Sequence, residues 1–258
     1  MCRLAAYSGP AIPLENIIVR PAHSLLLQSQ HATEAKLAVN GDGFGIAWYG
    51  EREEAPGLYR DVLPAWSDGN LLSLCRMIRS PHFLAHIRAS TVGETSRTNC
   101  HPFTHGRWSF CHNGQIPHFA QLRRQLSEGL PDALYEARRG TTDSEMIFLT
   151  LLKHGLDRDP LTALRATLAE LGEERDAGPV KITAVFSDGR SLYAVRHASS
   201  GSAPTLYASQ ALDNGGRALA SEPLCGVAAR WAQVPVGVLC RLGGAGIEVL
   251  GAVDQVRA

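Results

Sequence analysis

The sequence predicts an α+β chain in which two antiparallel sheets stack face to face with helices outside. Three observations carry that expectation: short strand-like runs open the chain, paired helical stretches occupy its middle, and β-rich runs at regular spacing return after residue 180. With 258 residues, 45% of them hydrophobic and 19% charged, the chain is long enough to bury one sizeable core, and a single domain over 1–258 is expected.

In order, 2–8 reads as a first strand ended by Gly9-Pro10, and 21–30 with its Leu triplet as a short buried helix. The turn cluster Asn40-Gly41-Asp42-Gly43 feeds an aromatic-rich strand at 44–49, and 58–61 completes a hairpin. Apolar residues at Leu71, Leu74, Cys75 and Ile78 have helical spacing, Ser80-Pro81 stops that helix, and 83–88 alternates as a strand. A strand at 108–112 delivers Asn113-Gly114, 119–126 is helical, and a loop spans 127–140. Thr142-Asp143-Ser144-Glu145 is a capping-box pattern opening a helix to about residue 154, and 161–171 makes a second. The closing strands fall at 180–187, 192–196, 205–209, 217–221, 231–234, 236–241 and 246–250.

Formal net charge is zero and the basic residues are scattered, so neither nucleic acid nor an anionic membrane is an expected partner. Small molecules are. No run reaches the ~18 apolar residues of a membrane-spanning helix, and no signal-peptide pattern opens the chain, which points to the cytoplasm. There the six Cys should be reduced, with no disulfides.

The chemistry starts at Cys2. Removal of Met1 would leave a thiol and a free α-amine on one residue, with ordinary pKa values near ~8.5 and ~8, so nucleophile and base come together. Read alone, Cys2 is more ordinarily a small hydrophobe at a strand start. A thiolate attacking an amide needs an oxyanion hole and a clamp for the substrate's charged ends. Asn113 with Gly114 offers a side-chain amide beside a backbone N–H unshielded by a Cβ; its plain reading is an Asn-Gly turn. Arg88, at a strand end, suits a carboxylate or a structural ion pair. Asp143, in the first turn of a helix, suits an ammonium group or a cap.

Together Cys2, Asn40-Gly41-Asp42-Gly43-Phe44-Gly45, Ala85-His86-Ile87-Arg88-Ala89-Ser90-Thr91, Asn99-Cys100-His101-Pro102-Phe103, His112-Asn113-Gly114 and Thr142-Asp143-Ser144-Glu145 resemble the ordered motifs of the class II glutamine amidotransferase domain. Residues 20–29 and 64–68 look like its stand-alone branch, which holds ergothioneine-pathway γ-glutamyl amidohydrolases and the γ-glutamyl-cleaving subunit of a glutathione-degrading complex, and the resemblance, strong to about residue 155, continues weakly through 220–224. The resemblance implies the αββα sandwich of the N-terminal-nucleophile hydrolases, Cys2 as nucleophile with its own amine as base, and Asn113 and Gly114 as oxyanion hole. It also implies that Arg88 meets the glutamyl α-carboxylate and Asp143 the α-ammonium, with His86 and Thr91 beside them on the substrate side. The implied reaction cleaves a γ-glutamyl amide through a glutamyl thioester, with no cofactor and no metal. Where the glucosamine-phosphate synthases carry Trp and His, this chain has Ala89 and Val92, so a tight lid selecting glutamine is not expected. No synthase domain follows in the sequence, and a separate synthase or peptidase subunit is the protein partner such a branch suggests.

Two other readings compete. One is a glutaminase subunit delivering ammonia to a separate synthase. The other is a non-catalytic or zinc-binding module, invited by His82, His86, His101, His105, His112 and His118 with Cys100 and Cys111. Their H-x3-H spacings would make a site on a helix, whereas Pro81, Pro102 and the alternation at 83–88 indicate strands, in which i and i+4 lie roughly 13 Å apart. A papain-like use of Cys100 or Cys111 lacks a helix N-terminus to lower the thiol pKa.

Overall fold

Residues Leu4 and Ala6 belong to one apolar cluster and Ala5 and Tyr7 to another, all of them buried, so the first strand must be covered on both faces. The computed structural model describes residues 2–34, 39–89, 94–172, 174–175 and 178–254. It begins with β1 (Arg3–Pro13), α1 (Glu15–Ile18), α2 (Leu25–Gln30), β2 (Phe44–Trp48), β3 (Gly57–Asp61), α3 (Gly69–Met77) and β4 (Arg79–Ile87). Then come β5 (Phe103–His105), β6 (Trp108–Gln115), α4 (Phe119–Glu128), α5 (Asp132–Ala137), α6 (Asp143–Lys153) and α7 (Pro160–Leu171). After a two-residue ribbon, β7 (Glu174–Arg175) with β8 (Gly178–Pro179), the chain continues through β9 (Lys181–Ser187), β10 (Leu192–Ala198), β11 (Tyr207–Ser209) and β12 (Arg217–Ala220). It closes with β13 (Trp231–Gln233), β14 (Val238–Gly243) and β15 (Gly246–Ala252).

Two large antiparallel sheets result, one ordered β13-β11-β12-β1-β4-β2-β3 and the other β15-β14-β10-β9-β6-β5. Leu4, Ala6 and Leu84 from the first meet Cys111, Val185 and Ala194 from the second, forming the layer between the sheets. The opposite face of the first sheet, with Ala5, Tyr7 and Phe83, packs on Ile17, Leu25 and Leu71 of α1, α2 and α3. The opposite face of the second, with Phe110 and Phe186, packs on Leu122, Phe148 and Leu164 of α4, α6 and α7. This is the expected four-layer αββα sandwich. No helix among the described residues is long and apolar enough to cross a membrane.

Four local readings change. Gly9-Pro10 does not end β1; pairing with β4 resumes at Ile12 after a register shift, and at such an irregularity a proline need not donate to the ladder. The short α1 falls where no element was expected. Within the expected loop at 127–140, α5 forms because Leu134 finds cover in the α4 and α6 layer. Thr142 does cap α6, accepting the Glu145 N–H at 3.2 Å, but the Glu145 carboxylate turns to the N–H groups of Arg139 and Gly140 at 2.9 and 2.7 Å. That half of the capping box therefore ties down the preceding loop.

A buried hydroxyl bridges the two sheets. Tyr49, directly after β2, places its hydroxyl 2.7 Å from the Ser187 carbonyl oxygen, which accepts its proton, 2.9 Å from the Arg107 carbonyl oxygen and 2.9 Å from Ser109 Oγ. Burial pushes its phenol pKa up, so the group stays a neutral donor. Tyr49→Phe should leave buried acceptors in the second sheet unpaired and cost about 1–3 kcal/mol of stability, read as a lower urea midpoint with unchanged slope.

Candidate active site

Cys2 stands just before the first laddered residue of β1, since pairing with β4 starts at Arg3 opposite Ile87. Its half-buried thiol lies against Ala89, which follows β4 by two residues: Sγ is 3.5 Å from the Ala89 carbonyl oxygen and 3.4 Å from its amide nitrogen. Burial raises the thiol pKa, opposed by the Ala89 backbone contact and by the positive charges of Arg88 and Arg3. At neutral pH the sulfur is therefore a thiol that needs a base, not a standing thiolate.

The Cys2 carbonyl is gripped from the second sheet. Asn113, on β6 opposite Thr183, donates Nδ2–H to Cys2 O at 3.0 Å. An amide nitrogen carries two protons, so one remains for another acceptor. Here β6 runs on to Gln115, three residues past the expected end, because 113–115 pair with 181–183. Gly114 is required in that pairing: its φ is +156°, and a Cβ there would sit 1.9 Å from the Lys181 carbonyl oxygen.

A small pocket of about 50 Å³ opens beside the thiol, lined by Cys2, Arg88, Ala89, Gly114, Asp143 and other residues of these segments. Asp143, at the start of α6, accepts from Ile116 N–H at 2.9 Å and Ser144 N–H at 2.8 Å. Those bonds join the helix to the exit of β6, and a carboxylate has acceptor capacity for more. Arg88 is buried at the end of β4, its N–H bonded to Gly43 O at 2.8 Å and its Nη1 lying 3.4 Å from Glu94 O. A cation and an anion thus share one small, half-dry pocket with a thiol, an arrangement able to hold an α-amino acid head group beside a nucleophile.

Three imidazoles gather here, His101 and His112 at the pocket wall and His86 behind it. His112 places Nδ1 2.8 Å from Ser144 Oγ and Nε2 3.3 Å from Lys181 O. His86 puts Nε2 3.2 Å from His112 O, and its ring packs 4.1 Å from that of His101. Burial lowers all three pKa values, that of His86 to about 3, so the group is neutral at working pH. Gly45 makes room for the His101 loop, since a Cβ there would lie 2.3 Å from His101 O.

Of the residues expected from the sequence, Cys2, Arg88, Gly114 and Asp143 line the pocket, and Asn113 touches Cys2. His86 does not line it: the side chain is fully buried one layer deeper, because the alternation of β4 turns it between the sheets. Thr91, with Val92, lies outside the described residues. His101, His112, Thr142 and Ser144 line the pocket without having been expected there, although the motifs holding them were visible. Among the described residues no group of three or more His, Cys, Asp or Glu is arranged to hold a metal ion. His82 and His86 both lie on β4, and His86 and His101 pack together as neutral rings. Burial raises the pKa of Cys100 and lifts that of Cys111 well above the ordinary thiol value, which speaks against either as a nucleophile.

The model of the class II glutamine amidotransferases matches residues 16–207. The Saccharomyces cerevisiae protein DUG3, named as a glutamine amidotransferase, is 39% identical over 160 residues, 59% of this chain and 45% of that protein. The match therefore spans less than half of that relative's length. The γ-glutamyl-hercynylcysteine sulfoxide hydrolase of Mycolicibacterium smegmatis is 31% identical over 67% of this chain and 70% of its own. A glutamine aminotransferase class-II domain protein from Silicibacter pomeroyi superposes with a TM-score of 0.72 at 35% identity, over 96% of this chain and 98% of that one. Glutamine phosphoribosylpyrophosphate amidotransferase from B. subtilis, at 13% identity, shares the fold with a TM-score of 0.68 over 99% of this chain and 50% of its own. With its sandwich of two sheets, a pocket where β1, β4, β6 and α6 meet, and a family match over most of its length, this chain belongs to the class II glutamine amidotransferases.

Proposed function

We propose that this chain is a γ-glutamyl amidohydrolase, acting as one unit over 1–258 in the reducing cytoplasm, whose active form begins at Cys2. The observation that carries the reading is the convergence of the Cys2 thiol, the Asn113 amide, Gly114, Arg88 and Asp143 at one pocket. Sγ attacks the γ-carbonyl carbon while the freed α-amine takes the thiol proton. The oxyanion is met by the second Asn113 N–H and the Gly114 N–H. Collapse expels the amine, which leaves with that proton, and water then releases glutamate from the glutamyl thioester. Arg88 pairs with the substrate α-carboxylate and Asp143 with its α-ammonium. No cofactor enters this scheme.

The leaving group is larger than ammonia. At the wall beside the thiol stands the small side chain of Ala89, and the mycobacterial relative is named as a hydrolase of γ-glutamyl-hercynylcysteine sulfoxide, in which the γ-glutamyl group is carried by something larger than ammonia. Glutamyl recognition stays the same while a large amine adds contacts of its own.

Several measurements test this reading. Intact mass of active enzyme should lack Met1, and Cys2→Ala should abolish glutamate release from a panel of glutamine, glutathione and larger γ-glutamyl amides. Within that panel kcat/KM should not favour glutamine; a preference above about tenfold, or ~1.4 kcal/mol, would instead support a glutaminase subunit serving a separate synthase. Arg88→Ala and Asp143→Asn should each lower kcat/KM by about 2–4 kcal/mol, with folding retained by circular dichroism. Because burial lifts the Cys2 thiol, its alkylation by iodoacetamide in the Met1-retaining protein, followed on the Cys2 peptide, should reach half its limiting rate above the ordinary thiol value of ~8.5.

A further inference from the structure

A residue at the end of a strand frays unless something ties it down, and Cys2 lies outside the β1 ladder. Its carbonyl is held by two side chains, Asn113 Nδ2 at 3.0 Å and Arg3 Nε at 2.9 Å. Arg3 is itself fully buried, and its Nη1 bonds the buried Glu222 at 2.6 Å. Glu222, just after β12 and beyond the stretch matched by the family model, is a hub. It accepts from Thr33 Oγ1 at 2.6 Å, Thr33 N at 3.0 Å and Glu34 N at 2.8 Å, and lies 2.8 Å from His23 Nε2. Gln28 Nε2 bridges the carbonyl oxygens of His23 and Glu222 at 2.9 and 3.1 Å. Segment 20–29, which resembles the stand-alone branch, and segment 220–224 therefore meet on one carboxylate whose cation touches the nucleophilic residue.

Stability alone does not account for this pair. Two charges in a dry site rarely improve on well-packed apolar side chains. Moreover, Arg3 Nη2 is buried with no partner among the described residues. Burial alone would raise the Glu222 pKa, yet the Thr33, Glu34 and His23 contacts outweigh it and hold the carboxylate ionised, so the anion facing Arg3 is permanent. Only a guanidinium can serve both ends: Nε reaches back to Cys2 O while Nη1 forks onto Glu222.

We infer that Arg3 and Glu222 are positioning residues that set the orientation of the Cys2 backbone, and with it the thiol and α-amine, from outside the substrate pocket. The inference rests on Cys2 being the nucleophile. Neither Arg3 nor Glu222 lines the pocket, so the pair governs the geometry of attack and leaves substrate binding alone. A displacement of about 1 Å at a nucleophile costs up to ~100-fold in rate.

Arg3→Lys decides it, since lysine keeps the charge and can keep the ion pair with Glu222 but cannot hold Cys2 O at the same time. On the Met1-processed enzyme with the best γ-glutamyl amide of the panel, kcat should fall about 10- to 100-fold while KM stays within about twofold and Tm is nearly unchanged. A folded Arg3→Lys enzyme with wild-type kcat, or one whose loss lies in KM, overturns the assignment. Where that chain fails to fold, Glu222→Gln, which preserves size and an acceptor for Arg3, carries the same test with the same two outcomes. Cys2→Ala run alongside separates the failures: an active Cys2→Ala enzyme defeats the nucleophile, whereas an inactive one beside an undiminished Arg3→Lys defeats the positioning pair alone.

Discussion

Everything at the candidate site depends on β1 being hydrogen-bonded along both edges. It pairs with β4 through Arg3 opposite Ile87 and with β12 through Ala5 opposite Ala220. A strand in the middle of a sheet has a fixed register, because a slip by one residue would turn Leu4 and Ala6 out of the inter-sheet layer and Tyr7 into it. The first residues of the chain are thereby held in a core position despite their terminal place. One of the two strands doing this, β12, lies more than 200 residues along the chain from β1.

Burial then sets the chemical problem that the site has to solve. A thiol pressed against the Ala89 backbone at the mouth of a small pocket is shielded from bulk water, and that shielding disfavours its anion. Reactivity must come from a base delivered to it, and the proposed α-amine is the nearest group that needs no further chain to position it. The neutral imidazoles of His101 and His112 at the pocket wall and of His86 behind it add bulk without charge. They leave the field near the thiol to Arg88, Arg3 and the ionised groups around them.

The site is also built from segments that are each committed elsewhere in the fold. Asp143 joins α6 to the residue after β6, Asn113 joins β6 to Cys2, and Arg88 closes the turn that begins at Gly43. Such double duty keeps the polar groups at fixed distances without a ligand, which is the preorganisation a charged amino-acid head group requires. It also means that a substitution at Asp143 or Asn113 acts on packing and on chemistry at once.

The sequence by itself determined the layers and the chemical inventory. Alternation in 83–88, the helical spacing from Leu71 to Ile78 and the Thr142 cap are local signals, each produced by one element satisfying its own backbone and apolar face, and they survive in the fold with shifts of a few residues. Cys2, Arg88, Asn113, Gly114 and Asp143 were legible because motif order is written along the chain. Tertiary structure alone decided what meets what. The passage of β1 through Gly9-Pro10, the cover that lets α5 form, the retreat of His86 from the pocket and the arrival of His101 and His112 at its wall all depend on neighbours distant in sequence. The same holds for Arg3 and Glu222, separated by 219 positions and joined by a 2.6 Å ion pair, since two buried charges find each other only when the central strand has been paired on both sides.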